Sequence, residues 1–115
     1  MNTLTAKEVA AQLVRAVRGE VPVRLTDPRF SWDYVYAGNV EFDIGGWIIT
    51  IFNDCDSYDY VDTAISPDGR KWEFPEWNMA DDPDNPPVES HLVERDEYMP
   101  PGTCEELERL LKKAT

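Results

Sequence analysis

Between Val40 and Phe74 short β-rich runs are punctuated by turn residues, and this rhythm constrains the fold more than any other feature of the chain. In "VEFDI" Val40, Phe42 and Ile44 alternate with Glu41 and Asp43, the pattern of a strand buried on one side. Gly45 and Gly46 follow as a tight hairpin signal, and "WIITIF" is apolar on both faces, which predicts the central strand of a sheet. "YVDTAIS" reads as a further strand, "PDG" at Pro67 to Gly69 as a turn and "RKWEF" as the closing strand. Upstream, "VPVRL" is a short strand that Pro22 confines to an edge or an end. "FSWDYVY" places Phe30, Trp32, Tyr34 and Tyr36 on one face and is read as another strand. Strands this close in sequence, joined by short turns, pair most simply as an antiparallel meander.

A helix is predicted on either side of the strands. Thr5 and Glu8 have the spacing of a capping box, Leu4 precedes it as a hydrophobic staple to Val9, and Val9, Leu13, Ala16 and Val17 recur at helical intervals up to a stop at Gly19. Thr103 and Glu106 repeat the capping spacing before Leu107, Leu110 and Leu111, with glutamates early and Lys112 and Lys113 late, as the helix dipole favours. Both helices are expected on one face of the sheet. Residues 75–102 hold six of the nine prolines and are expected to form an irregular acidic excursion, since proline removes a donor and fixes the backbone. The expectation is one α+β domain spanning 1–115, a meander of about five strands flanked by N- and C-terminal helices.

With 115 residues and 42% hydrophobic composition, the chain can fill a single core. No stretch approaches a membrane span and the N-terminus lacks the order of a secretory signal, which predicts a cytoplasmic protein. Cys55 and Cys104 have no CxxC spacing and are expected to be reduced thiols rather than zinc ligands.

Charge says most about partners. Acids outnumber bases 23 to 11, a net charge of −12. Eight acids lie between Phe30 and Gly69 and seven between Trp72 and Glu94, with no lysine or arginine in either block. Such a surface repels nucleic acid and anionic membranes and suits a basic protein.

The acidic stretch "NDCDSYDYVD" raises three chemistries. A calcium loop of the EF-hand type needs oxygen ligands at positions 1, 3 and 5, glycine at 6 and glutamate at 12. Counting from Asp54 puts Tyr58 at position 5, Asp59 at 6 and Ile65 at 12, so the pattern fails. A Cys–His pair with His91, or acid and base roles for Asp54 and Asp56, lacks any accompanying motif. The third chemistry is a docking surface, on which Asp54 and Asp56, if extended, project to one side about 7 Å apart. Asp54, Asp56, Tyr58, Asp59, Asp62, Trp77, Asp81, Asp82 and Asp84 are the partner-binding candidates, the aromatics serving as anchors. No catalytic residue, metal or cofactor is assigned.

The core "YAGNVEFDIGGWIITIFNDCDSYDYVDTAISPDGR", preceded by "LTAKEVAAQLVRAV", resembles a family of small bacterial domains of unknown function. Its members open on a similar "LTAREV" helix, share the "FNDCD" and "SPDGR" pieces and end in a leucine-rich helix. The resemblance implies no activity. Residues 75–102 depart from it. The functional expectation is therefore a non-catalytic acidic protein that docks on a basic surface, as an inhibitor of a nucleic-acid-binding partner, an immunity protein or a phage anti-defence (anti-CRISPR type) factor would. The alternative expectation is a small metal- or thiol-dependent enzyme.

Overall fold

The computed structural model describes residues 4–73, 93–94 and 97–115. Helix α1, Ala6–Val17, begins on the expected capping box: the Thr5 hydroxyl accepts from the Glu8 backbone N–H at 3.1 Å, and the Glu8 carboxylate accepts from the Thr5 N–H at 3.0 Å. It ends in a left-handed glycine cap. Gly19 at φ 78° lets its own N–H reach Ala16 and that of Glu20 reach Arg15, so two terminal carbonyls are satisfied.

Five strands follow in the order β1-β2-β3-β4-β5, each antiparallel to the next. They are β1 (Val23–Leu25), β2 (Gly38–Ile44), β3 (Trp47–Asn53), β4 (Tyr58–Ile65) and β5 (Lys71–Glu73). The sheet is the meander the turns predict, with β3 at its centre. Val40, Phe42 and Ile44 of β2 are buried together with Ile49 and Ile51 of β3, Val61 and Ala64 of β4 and Trp72 of β5. Gly45 and Gly46, at φ 60° and 90°, make the two-residue mirror-image turn that matches strand twist. A Cβ on Gly45 would come within 2.6 Å of the Gln12 amide nitrogen, which donates at 2.9 Å to the Ile44 carbonyl and ties α1 to β2.

Both helices share the buried face. Val9, Ala10 and Leu13 of α1 and Leu107 and Leu111 of α3 (Thr103–Lys113) join one core with the strands. Both outer strands are partly covered along their edges, Leu4 N–H bonding to Lys71 beside β5 and the carbonyl of Thr115 accepting from Leu25 in β1.

Two expectations fail. "FSWDYVY" is not a strand: Trp32–Val35 form a short helix, α2, capped by Ser31, whose hydroxyl accepts from Tyr34 N–H at 3.2 Å. The place beside β2 is already taken by β1, through Val23↔Ile44 and Leu25↔Phe42, so an extended 30–36 would have no ladder to join. Of its four aromatics only Trp32 is buried. The second failure is at α3. Its cap is Gly102, with no side-chain bond, and the Glu106 carboxylate pairs with Arg109 at 2.9 Å rather than closing a box with Thr103.

Candidate functional site

The acidic stretch folds as a β3–β4 turn. Asp54 and Ser57 exchange two backbone hydrogen bonds, of 2.8 and 3.1 Å, around Cys55 and Asp56, which take φ of 50° and 72°. A two-residue turn of this hand fits the strand twist, although neither residue is a glycine. Asp54 and Asp56 therefore do not project side by side as in an extended chain. Asp54 is exposed, whereas Asp56 is a structural clamp. Its carboxylate accepts from the Trp32 indole N–H at 3.1 Å and faces Lys112 Nζ at 3.6 Å, while its backbone N–H donates to Tyr36 at 3.0 Å. Tyr36 itself is held at φ 57° by a tight turn in which the Ala37 N–H reaches Val35.

Along β4 the pairing with β3 slips twice, and the residues passed over are Asp62 and Asp59: Ile51 faces Val61, Phe52 faces Tyr60 and Asn53 faces Tyr58. Each slip is a bulge. Together they keep Tyr58, Val61 and Ala64, three residues apart, on the core face that a regular strand would give only to alternate positions. Tyr58 consequently turns toward the core. Its ring packs against the core, its hydroxyl donates to the Glu94 carboxylate and its backbone N–H to Glu108 at 2.7 Å. Glu94 also accepts from Val61 N–H at 3.3 Å. Burial pushes the Glu94 carboxyl above its ordinary value against the opposing effect of these bonds, and burial together with the Glu94 charge pushes the Tyr58 hydroxyl well up.

Asp59 is exposed on β4, and Asp62 is half-buried with the Asn39 amide 3.4 Å away. Trp77, Asp81, Asp82 and Asp84, with His91, lie outside the described residues. Folding also brings bases to some acids. Arg70 bridges Glu8 at 2.9 Å and Asp68 at 3.0 Å, and Arg29 grips Asp27 through two nitrogens. The Glu8 carboxyl is held low chiefly by the Thr5 N–H and then by Arg70; that of Asp68 by the Ser66 hydroxyl and then Arg70.

The sheet face away from the helices follows from the register. Asn39, Phe52 and Tyr60 form one row across it; Glu41, Thr50, Thr63 and Glu73 the next; Arg24, Asp43, Ile48, Ile65 and Lys71 the last. Phe52 and Tyr60 stack with ring centres 5.4 Å apart. The face thus carries an apolar pair at each end of its two inner strands, a polar middle row with Glu41 and Glu73 on its flanks, and its two bases, Arg24 and Lys71, in the row nearest the β2–β3 turn.

Sequence reasoning missed the segment leading into this face. Phe30, Tyr34 and Tyr36 are exposed, Tyr34 by 70%, and Phe30 meets Tyr34 edge-on at 5.8 Å. Phe30 also lines a cleft of about 270 Å³ with Thr26, Asp27, Asn39 and Glu41. The signal was available, in that Ser31 stands three residues before Tyr34 at cap spacing. Cys55 lies exposed at the tip of the turn and Cys104 half-buried at the start of α3, and no disulfide joins them. Among the described residues no group of three His, Cys, Asp or Glu side chains is placed to hold a metal, and no helix is long and apolar enough to cross a membrane.

Fold and surface together define a small α+β domain, a five-stranded meander backed by two helices with an acid-edged aromatic face opposite them. The chain belongs to the family described as a domain of unknown function (DUF7693), whose model matches residues 3–86. The match runs from α1 through β5 and on to residue 86, so it takes in the "FNDCD" and "SPDGR" pieces and also the first part of the 75–102 segment, expected to depart from the family, and it does not reach α3. No curated protein and no solved structure matches the chain.

Proposed function

We propose that this protein is a non-catalytic acidic binding protein that docks on a basic protein surface, with the sheet face opposite the helices as its contact. The observation that carries the reading is the composition of that face: Phe52 with Tyr60 at one end and Ile48 with Ile65 at the other, on the two inner strands, and between them a row in which Thr50 and Thr63 stand between Glu41 and Glu73, with Asp62 beside it. Aromatic and aliphatic side chains beside charge are what a protein interface is made of, the apolar groups supplying affinity and the charges setting partner and encounter rate. Asp54 and Asp59, exposed at the same end of the β3–β4 hairpin, extend the negative field. A groove built to hold a phosphodiester backbone presents the complementary charge. The biological role that fits is inhibition of a nucleic-acid-binding protein, as an immunity or anti-defence factor performs it.

The test separates this face from charge in general. Glu41→Gln, Asp62→Asn and Glu73→Gln are combined in one variant, and Glu20→Gln, Glu105→Gln and Glu106→Gln, which lie off the face, in a control of equal charge. Asp56 is left intact because it clamps the turn. The basic protein retained from a lysate at low salt is expected to elute from the face variant at markedly lower salt than from wild type, and unchanged from the control. Equal weakening by both variants, or retention insensitive to salt, would sink the reading.

A further inference from the structure

We propose that the cleft between the β1–α2 connection and β2 seats an arginine side chain of the docked partner, an assignment that rests on the docking reading above. Thr26, Asp27, Phe30, Asn39 and Glu41 line a space of about 270 Å³, just under the range of pockets that enclose a whole small ligand and suited to one long side chain. No base lines it. One oxygen of Glu41 takes the Thr26 hydroxyl at 2.6 Å, which fixes the carboxylate and leaves its second oxygen for an incoming donor. The Asn39 amide nitrogen points to Asp62, so the carbonyl of the same side chain is a further acceptor.

The chain already shows how this lining treats a guanidinium. Arg29 lies 5.5 Å from the centre of the Phe30 ring while two of its nitrogens bond the two oxygens of Asp27, at 3.1 and 2.9 Å. Ring face and carboxylate fork thus hold a planar cation together, and Asp27 is neutralised by it. The uncompensated charge in the cleft is that of Glu41. A guanidinium, flat and with paired donors, meets a ring, a carboxylate oxygen and an amide carbonyl at once, whereas a lysine ammonium offers a point charge with no face to stack. The occupant is therefore arginine in preference to lysine.

The isotope-labelled full chain is titrated with acetyl-arginine methylamide, with the lysine counterpart and with sodium chloride at matched ionic strength, and followed by amide NMR. Arginine is expected to give saturable shifts at Thr26, Phe30, Asn39 and Glu41, with affinity about tenfold lower in both Glu41→Gln and Phe30→Leu. The variants' own spectra report that they remain folded. Equal response to lysine, shifts spread over all exposed acids, or no saturation would overturn the assignment. If arginine fails to seat while the three-residue face variant still loses its partner, the docking reading stands and the cleft assignment falls. If arginine seats but that variant keeps its partner, docking through this face falls, and the partner's arginine with it.

Discussion

Glu94 carries an ionisable carboxyl into a half-buried position, where its oxygen is met by the Tyr58 hydroxyl and the Val61 N–H. Two donors soften the loss of water without abolishing it, and Asp59 nearby adds repulsion, so the folded protein holds the Glu94 proton more tightly than the ordinary carboxyl value of 4.5 implies. An acid whose folded pKa is raised contributes most to stability below its unfolded pKa and loses that contribution as pH rises through the folded one. Glu94→Gln keeps an oxygen for Tyr58 and removes the charge. The variant is therefore expected to match wild type most closely below pH 4.5 and to gain on it as pH climbs toward neutrality. Glu8, Asp27 and Asp68, whose carboxyls are held low, pull the other way, gaining stability above their unfolded values and losing it on acidification. They are common to both proteins and cancel in the difference. Urea midpoints across that range measure it; a difference that does not move with pH would mean that Glu94 is ionised at ordinary carboxylate values.

At the scale of elements, the β3–β4 turn shows a local rule broken. Its two central residues need positive φ, a region in which a residue other than Gly, Asn or Asp is strained by about 1–2 kcal/mol, yet Cys55 occupies it beside Asp56. Asp56 is compensated by Trp32 and Lys112. Cys55 is exposed, and its substitution by asparagine is expected to raise the unfolding free energy by roughly 0.5–1 kcal/mol, read as a higher thermal midpoint. An unchanged or lowered midpoint would show that the thiol side chain contributes more than the strain costs. The same region marks where the sequence stops being legible. β2 and β3 could be read directly because Val40, Phe42 and Ile44 keep a period of two and Gly45–Gly46 carry the turn chemistry themselves. Tyr58, Val61 and Ala64 are three apart, and only two bulges, which no residue type announces, put them on one face. The sequence alone therefore reads Tyr58 as part of the outer surface. In 30–36 the aromatic alternation hides the Ser31 cap, because nothing in the local sequence says that β1 fills the position beside β2. Of the candidate site, the acids were legible as charge but not as geometry, since which of them meet Arg29, Arg70 or Lys112 is fixed by contacts distant in the chain or by the turn between them.

For the whole molecule the governing quantity is a net charge of −12 on 115 residues. Folding concentrates that charge, and self-repulsion then opposes the compact state. The local pairs work in the other direction: Arg70 with Glu8 and Asp68, and Lys112 with Asp56 and Glu108, lose strength as salt screens them. Exposed pairs are each worth at most about 1 kcal/mol, and bases can match fewer than half of the acids. Repulsion therefore wins, and the thermal midpoint is expected to rise steadily as sodium chloride is raised from low to physiological ionic strength. Magnesium chloride at matched ionic strength discriminates further. A shift equal to that of sodium chloride is screening alone, whereas an excess would show carboxylates converging on a divalent ion and revive a metal-dependent chemistry. A midpoint that stays flat or falls with salt would mean that the acids are already neutralised within the fold. The sheet face would then lack the field that a salt-sensitive contact with a basic partner requires, so this measurement on the isolated protein bears on the docking reading before any partner is in hand.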